Sequence, residues 1–236
     1  MRLKMSFEID ILPKDPHRIG LTIIKSLIKM SNKELYQKFY ESNKHTVKPF
    51  TFFYKTDDKV LRVGPLTYTD KFLIYLSTND ESVRESIKKG FYIFKGIGKD
   101  ISYKVTDKIQ AGAKPVDLKE FSIPIANNIA KIPSFVIPEL FIKKYSNKSI
   151  DDIITDYFKL AGIDIKVISS KMQSTYTNIH NADRQIRGFN LTFAILSDVN
   201  KAWDRLESGI GARKSQGFGY CMNIPKLAVN NINNIN

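Results

Sequence analysis

Cysteine is almost absent: Cys221 is the single one in 236 residues. An intramolecular disulfide is therefore excluded, and so is a cysteine-rich zinc site. Histidine is scarce as well. His17, His45 and His180 lie far apart, without the His-x-x-x-His spacing or the acidic cluster that would mark a metal site. No metal and no cofactor is expected. Long apolar runs are missing too, since none approaches the roughly 20 residues that span a bilayer. The opening stretch, Met1-Arg-Leu-Lys-Met-Ser-Phe-Glu-Ile-Asp10, alternates apolar with charged residues where a signal peptide needs a continuous apolar segment. The expectation is a cytoplasmic protein with no membrane partner. Negative charge is in deficit: 24 Asp and Glu against 37 Lys and Arg leave a formal net charge of +13. Such an excess attracts polyanions and gives a salt-sensitive affinity for phosphate backbones, although a lysine-rich composition also produces it without any nucleic acid.

What is present falls into two halves with the same order of elements. Leu3, Met5, Phe7, Ile9 and Ile11 alternate with polar neighbours as a half-buried strand does. Ile19, Ile23, Leu27 and Met30 then follow at helical spacing, and Ser31 with Glu34 reads as a capping box for a second helical segment. Strands are predicted at Phe50–Tyr54, Val60–Val63 and Phe72–Leu76, a helix from about Asp80 to Lys89 stopped by Gly90, and a strand opening at Phe91. The second half predicts a strand near Phe121–Ile125, helix between Ile137 and Leu160, and alternating strands at Ile163–Val167 and Phe189–Ile195. A helix carrying Val199, Ala202, Trp203 and Leu206 comes next, then a last strand at Phe218–Met222. A repeated βαββαβ order fits an α+β protein of two tandem ferredoxin-like (RRM-like) domains. The expected division is residues 1–113 and 114–228, linked around Gly112-Ala-Lys-Pro115, with 229–236 a disordered tail.

The most specific segment is Gly209-Ile-Gly-Ala-Arg-Lys-Ser-Gln-Gly-Phe-Gly219. It follows a helix and precedes a strand, so it is not a dinucleotide fingerprint, and Lys214-Ser215 lacks the glycine that precedes Lys-Ser in a P-loop. Its glycines permit left-handed backbone and close approach, and its amides with Arg213 and Lys214 could cradle a phosphate. The loop resembles the glycine-rich signature of the repeat-associated RNA-binding superfamily. Its C-terminal placement is similar to that in the Cas-six-type CRISPR RNA-processing endoribonucleases. Lys48-Pro-Phe-Thr-Phe-Phe53 is similar to the family's segment after its catalytic region, and Arg184-Gln-Ile-Arg-Gly-Phe-Asn-Leu-Thr-Phe193 to the strand before its final helix.

The resemblance implies metal-independent cleavage of CRISPR repeat RNA in precursor transcripts to yield guide RNAs. A ribose 2′-OH attacks the adjacent phosphate and leaves a 2′,3′-cyclic phosphate and a 5′-OH. Family members place a catalytic histidine near His45, which suits proton transfer because its ordinary pKa is about 6.5; alone, it would read as an exposed loop histidine. Lys48, three residues on, suits stabilisation of the developing charge. Tyr36 and Tyr40 share a helical face and offer hydroxyls, though they are equally natural core aromatics. Some relatives carry a tyrosine in the first helix; Ile23-Ile-Lys-Ser-Leu27 has none, and Lys25 stands in for part of that role. His17, at the first strand–helix turn, is a lesser candidate.

RNA grip is expected from Gly209, Gly211, Arg213, Lys214, Ser215, Gly217 and Gly219 in the loop. Lys171, Arg184 and Arg187 around the second-domain hairpin join them, with His180 nearby. The implied partners are CRISPR repeat RNA and subunits of a CRISPR effector complex, for a monomer or homodimer. The alternative is a non-catalytic RNA-binding subunit of such a complex on the same fold. A general RNA-recognition-motif protein ranks last, because Arg187-Gly-Phe189 matches that motif only faintly.

Overall fold

The alternation Leu3, Met5, Phe7, Ile9 becomes strand β1 (Arg2–Ile9), with all four side chains buried. This computed structural model describes residues 2–13, 16–41, 48–56, 61–63, 66–122, 128–179, 182–212, 214 and 217–224. After strand β2 (Ile11–Leu12), helix α1 (Pro16–Ser31) buries Ile19, Ile23, Ile24, Leu27 and Ile28. Helix α2 (Lys33–Tyr36) runs into a π-helical turn, Gln37–Glu41. Strands β3 (Phe50–Thr56), β4 (Leu61–Val63), β5 (Leu66–Tyr68) and β6 (Lys71–Thr78) follow, then helix α3 (Glu81–Gly96) and strands β7 (Ile101–Lys104) and β8 (Gln110–Phe121). The first sheet runs β3-β6-β1-β8-β7, while β2, β5 and β4 make a small sheet of their own.

The second half comprises β9 (Ile129–Phe135), α4 (Glu139–Lys144), α5 (Ile150–Leu160), β10 (Ile165–Ile179), β11 (Ala182–Ile195), α6 (Val199–Leu206) and β12 (Met222–Asn223). Its sheet runs β10-β11-β9-β12. With β7 set aside, both sheets place the second, third, first and fourth strands of a βαββαβ unit side by side, all antiparallel. The chain is thus two tandem ferredoxin-like units, each with its own apolar core. In the first, Phe50 and Phe52 of β3 and Phe72, Ile74 and Leu76 of β6 face α1 and α3. The intervening Thr51, Phe53, Lys55 and Tyr75 leave the opposite face, as a strand's period of two requires.

Several expectations need correction. Gly90 does not stop a helix, and Phe91–Phe94 do not start a strand: α3 continues to Gly96, with Val83, Ile87, Gly90, Phe91 and Phe94 on its buried stripe. A Cβ at Gly90 would overlap the Leu27 carbonyl oxygen, so glycine is there because α1 and α3 cross closely. The cap of α2 is Asn32, accepting from the Leu35 amide at 2.9 Å, while Ser31 ends α1 and donates to the Ser86 carbonyl at 2.6 Å. Gly112–Pro115 lies inside β8, paired with β1 through Pro115 opposite Phe7, so the chain leaves the first sheet only after Phe121. The second sheet begins at Ile129 rather than near Phe121. Pro133 hides this interior strand from sequence; it sits where the β9–β11 ladder shifts register between Phe135 and Ile132, a bulge that tolerates a missing amide. Of the expected strand Phe218–Met222, only Met222 is paired, in β12. The tail at 229–236 lies outside the described residues.

Candidate active site and nucleic-acid interface

Tyr36 and Tyr40 lie one turn apart where α2 becomes π-helical, their ring centroids 5.2 Å apart. Buried Phe39 anchors the turn in the first core, which leaves the two tyrosines half-buried at its rim. π-Helical turns frequently accompany functional sites. Lys25 reaches over from α1 and Lys48 from the residues before β3, their ammonium nitrogens 4.7 and 4.9 Å from the Tyr40 ring centroid. Lys29 lies 5.3 Å from the Tyr36 ring. Lys48, Tyr40, Tyr36 and Lys25 are thereby brought into one cluster. His45 lies outside the described residues, in the segment between Glu41 and Lys48 that joins the two sides of the cluster.

The electrostatics of the cluster favour anions. Burial raises the Tyr40 phenol above its ordinary value, and neighbouring Tyr36 pushes it the same way. The phenol therefore stays protonated at any physiological pH and has a proton to donate. Among the described residues nothing hydrogen-bonds that buried hydroxyl. Burial lowers the Lys25 ammonium, and burial followed by repulsion from Lys25 lowers Lys48. Two cations held close together and partly desolvated gain from an anion placed between them.

The glycine loop sits elsewhere on the same helix. Asp198 caps α6 by accepting from the Lys201 amide at 3.1 Å, and the chain after α6 turns back across β3. Gly209 has φ 78° and Gly217 φ 92°, a region L side chains rarely enter. A Cβ at Gly209 would lie 2.6 Å from Thr51 Cγ2, and one at Gly217 2.6 Å from His17 Nδ1. Thr51 and Phe52 point from opposite faces of β3, and the loop touches both. Thr51 donates its hydroxyl to the Phe218 carbonyl at 2.7 Å, and Arg2 donates to the Cys221 carbonyl while its guanidinium covers the Tyr220 ring at 4.7 Å.

The loop amides are less free than their sequence suggested. Gly219 donates to Ser134 at 2.7 Å, Ala212 to Val136 at 2.7 Å, Ile210 to Gly219 at 3.2 Å and Gly217 to Lys214 at 3.0 Å. The glycines serve first to seat the second unit's last segment on β3 and α1. Lys214 is half-buried, which lowers its ammonium from the ordinary value, and Gly211 and Gly219 share the left-handed backbone. Arg213 and Ser215 lie outside the described residues.

His17 packs against the glycine loop. Its ring stacks on Phe218 with centroids 4.9 Å and planes 16° apart, and meets Tyr54 edge-on at 4.9 Å. No spacing rule links position 17 to position 217; only the packing of α1 against the loop does. Lys25 lies two helical turns further along α1, roughly 12 Å at 1.5 Å per residue. The loop and the Tyr40 cluster are thus two stations on one helix.

The hairpin candidates stand apart. Lys171 is exposed on β10 opposite Asn190. Arg184 and Arg187 occupy ladder positions opposite Thr177 and Ser174, but their side chains, like His180, lie outside what the structure describes. Among the described residues, no group of three or more His, Cys, Asp or Glu side chains is placed to hold a metal. No helix there is long and apolar enough to cross a membrane.

Comparison with known proteins sets this geometry in a family. A solved structure of a CRISPR associated protein Cas6 superposes with a TM-score of 0.65 at 19% identity, covering 95% of this chain and 99% of that one. A RAMP protein binding different RNA substrates gives 0.65 at 16% identity over 95% of this chain and 100% of that one. The product of a Cas6-related gene from Pyrococcus furiosus gives 0.62 at 16% identity over 96% and 99%. These likenesses establish the shared fold. No curated protein matches the chain by sequence. The family model for CRISPR associated protein Cas6, C-terminal, matches residues 99–223, more than half of the sequence, and the chain belongs to that family.

Proposed function

We propose that this protein binds CRISPR repeat RNA and cuts it within precursor transcripts by metal-independent attack of a ribose 2′-OH on the adjacent phosphate. The observation that carries the proposal is the placement of the Lys25 and Lys48 ammoniums at 4.7 and 4.9 Å from the Tyr40 ring centroid. Family membership and the glycine loop on α1 support it.

The reaction asks the protein for three things. A base removes the 2′-OH proton, cations stabilise the pentavalent phosphorane, and an acid protonates the leaving 5′ oxygen as the P–O5′ bond breaks. The nucleophile is part of the substrate, so in-line positioning contributes much of the acceleration. Lys25 and Lys48 supply positive charge in a partly desolvated setting, where it acts more strongly than in water. Tyr40, held protonated, donates a hydrogen bond to a non-bridging or leaving oxygen. His45, on the segment between Tyr40 and Lys48, takes the proton work. Lys214 and the glycine loop hold the flanking phosphates, with Arg213, Arg184, Arg187 and Lys171 extending the grip.

The test is incubation of wild type and His45→Ala with repeat RNA from the protein's own host, in EDTA. Cleavage at one site by wild type, leaving a 2′,3′-cyclic phosphate, and its loss in the variant are expected. Equal cleavage by both would transfer the proton work to His17, a tyrosine or a lysine. Tight binding without cleavage by either would overturn the nuclease reading in favour of a non-catalytic RNA-binding subunit.

A further inference from the structure

The face of the first sheet turned away from α1 and α3 carries a cavity of about 480 Å³ that plays no part in the chemistry above. Phe53 of β3, Tyr75 of β6, Phe121 at the end of β8 and Tyr220 before β12 line it, with Arg2 and Lys55. Phe53 lies 6.2 Å from Tyr75 and 6.2 Å from Tyr220, and Phe121 meets Tyr75 edge-on at 6.3 Å. Tyr220 is buried under the Arg2 guanidinium and forms the floor, whereas Phe53, Tyr75 and Phe121 are only half-buried.

Among the described residues, the charged side chains lining the cavity, Arg2 and Lys55, are both cationic. Lys4 holds its ammonium 5.7 Å from the Tyr75 ring, and Lys55 is exposed on the rim. Neither forms an ion pair with a carboxylate among the described residues; Glu8 and Asp117, further along the same face, are engaged by Lys114 and Lys119. Half-exposed aromatic rings on an open sheet face, flanked by lysines, have the composition of a single-strand RNA platform. The rings stack bases and the cations take the phosphates on either side. A purely apolar partner would leave the lysines desolvated, and a simple anion would leave the rings unused.

We infer that this cavity holds one unpaired nucleobase of the bound RNA, stacked on Tyr75 and Phe53, with Lys4 and Lys55 on the adjoining phosphates. The inference rests on the proposal that the chain binds repeat RNA. The cavity lies on the face of the sheet opposite α1, which carries Lys25 of the Tyr40 cluster, and the glycine loop touches both faces of β3. The base in the cavity is therefore not one of the two nucleotides flanking the cut. The cavity adds affinity and selects a position in the RNA without touching the reaction.

The test is equilibrium binding of host repeat RNA carrying a single abasic nucleotide at each unpaired position in turn. Wild type, Tyr75→Ala and Tyr75→Phe are compared, with thermal melting as the folding control. For wild type, one position away from the cut should lose roughly tenfold or more in affinity, the weight of one stacked base. Tyr75→Ala should show the same loss on intact RNA and no further loss at that abasic position, while Tyr75→Phe keeps its affinity. Lys55→Ala, on the rim, should weaken binding without changing which position responds. A flat abasic series, or losses from Tyr75→Ala and the abasic site that simply add, would overturn the inference. So would a dimer that Tyr75→Ala dissociates with RNA affinity unchanged, since a second copy would then be the occupant. Because the readout is binding, absence of cleavage refutes only the nuclease reading, and the abasic series still decides this one.

Discussion

The imidazole of His17 lies flat on the ring of Phe218, centroids 4.9 Å and planes 16° apart. One residue opens the first helix of the first unit, and the other belongs to the final glycine loop of the second. Their contact leaves no space at Gly217, where φ is 92° and a Cβ would lie 2.6 Å from His17 Nδ1. Gly217→Ala should therefore cost about 1–2 kcal/mol from the left-handed backbone alone. It should also lift the loop from α1 and weaken RNA binding. Thermal melting and equilibrium binding measured together check both effects. A stable variant with unchanged affinity would mean that the loop does not depend on this contact.

Gly90 makes a prediction of unusual sign. In an exposed helix interior, glycine-to-alanine normally stabilises by about 0.5–1 kcal/mol. Here the new methyl would overlap the Leu27 carbonyl oxygen of α1. Gly90→Ala should instead destabilise by about 1–3 kcal/mol, the usual cost of overpacking. Gly96→Ala in the same helix, with nothing near its Cβ, is the control and should not destabilise. Urea denaturation of the two variants separates the crossing from intrinsic propensity.

The lysine pair gives the protein a pH signature. Lys25 and Lys48 both sit below the ordinary value of 10.5, chiefly through burial, with Lys25 repelling Lys48 as well. Between their lowered values and 10.5 the unfolded chain binds more protons than the folded one, so this pair makes stability rise with pH across that window. Lys25→Met removes the cost of the buried charge. Its stability advantage over wild type should be constant below the lowered value and shrink as pH rises from there towards 10.5. A difference that stays constant through that rise would place Lys25 in ordinary solvent. RNA binding should run the other way: phosphate favours the ammonium forms, so affinity should fall as pH rises through the same window, and less steeply in Lys48→Ala.

Much of the fold was legible because half-buried strands print their period of two directly, as Leu3–Ile9 and Phe189–Ile195 do. The errors came where one residue type serves two physical purposes. Gly90 reads as a helix stop but is a close helix crossing. Gly112 and Pro115 read as a linker but lie in a paired strand. In the candidate site, the grouping of Tyr36, Tyr40, Lys25 and Lys48 follows from local helix geometry plus one tertiary contact, and family resemblance supplied the lysines. The stacking of His17 on Phe218 joins opposite ends of the chain, which no local pattern encodes. Neither does the aromatic cavity, whose walls come from β3, β6, β8 and the segment before β12.

The most direct test of the central claim is the single-turnover cleavage rate of wild type and Lys48→Ala on repeat RNA in EDTA, with the RNA dissociation constant measured alongside. Charge stabilisation at the Tyr40 cluster predicts a rate loss of roughly 100-fold at saturating RNA, with a much smaller change in affinity. An unchanged rate accompanied by weakened binding would contradict it, and would make Lys48 a phosphate grip remote from the chemistry.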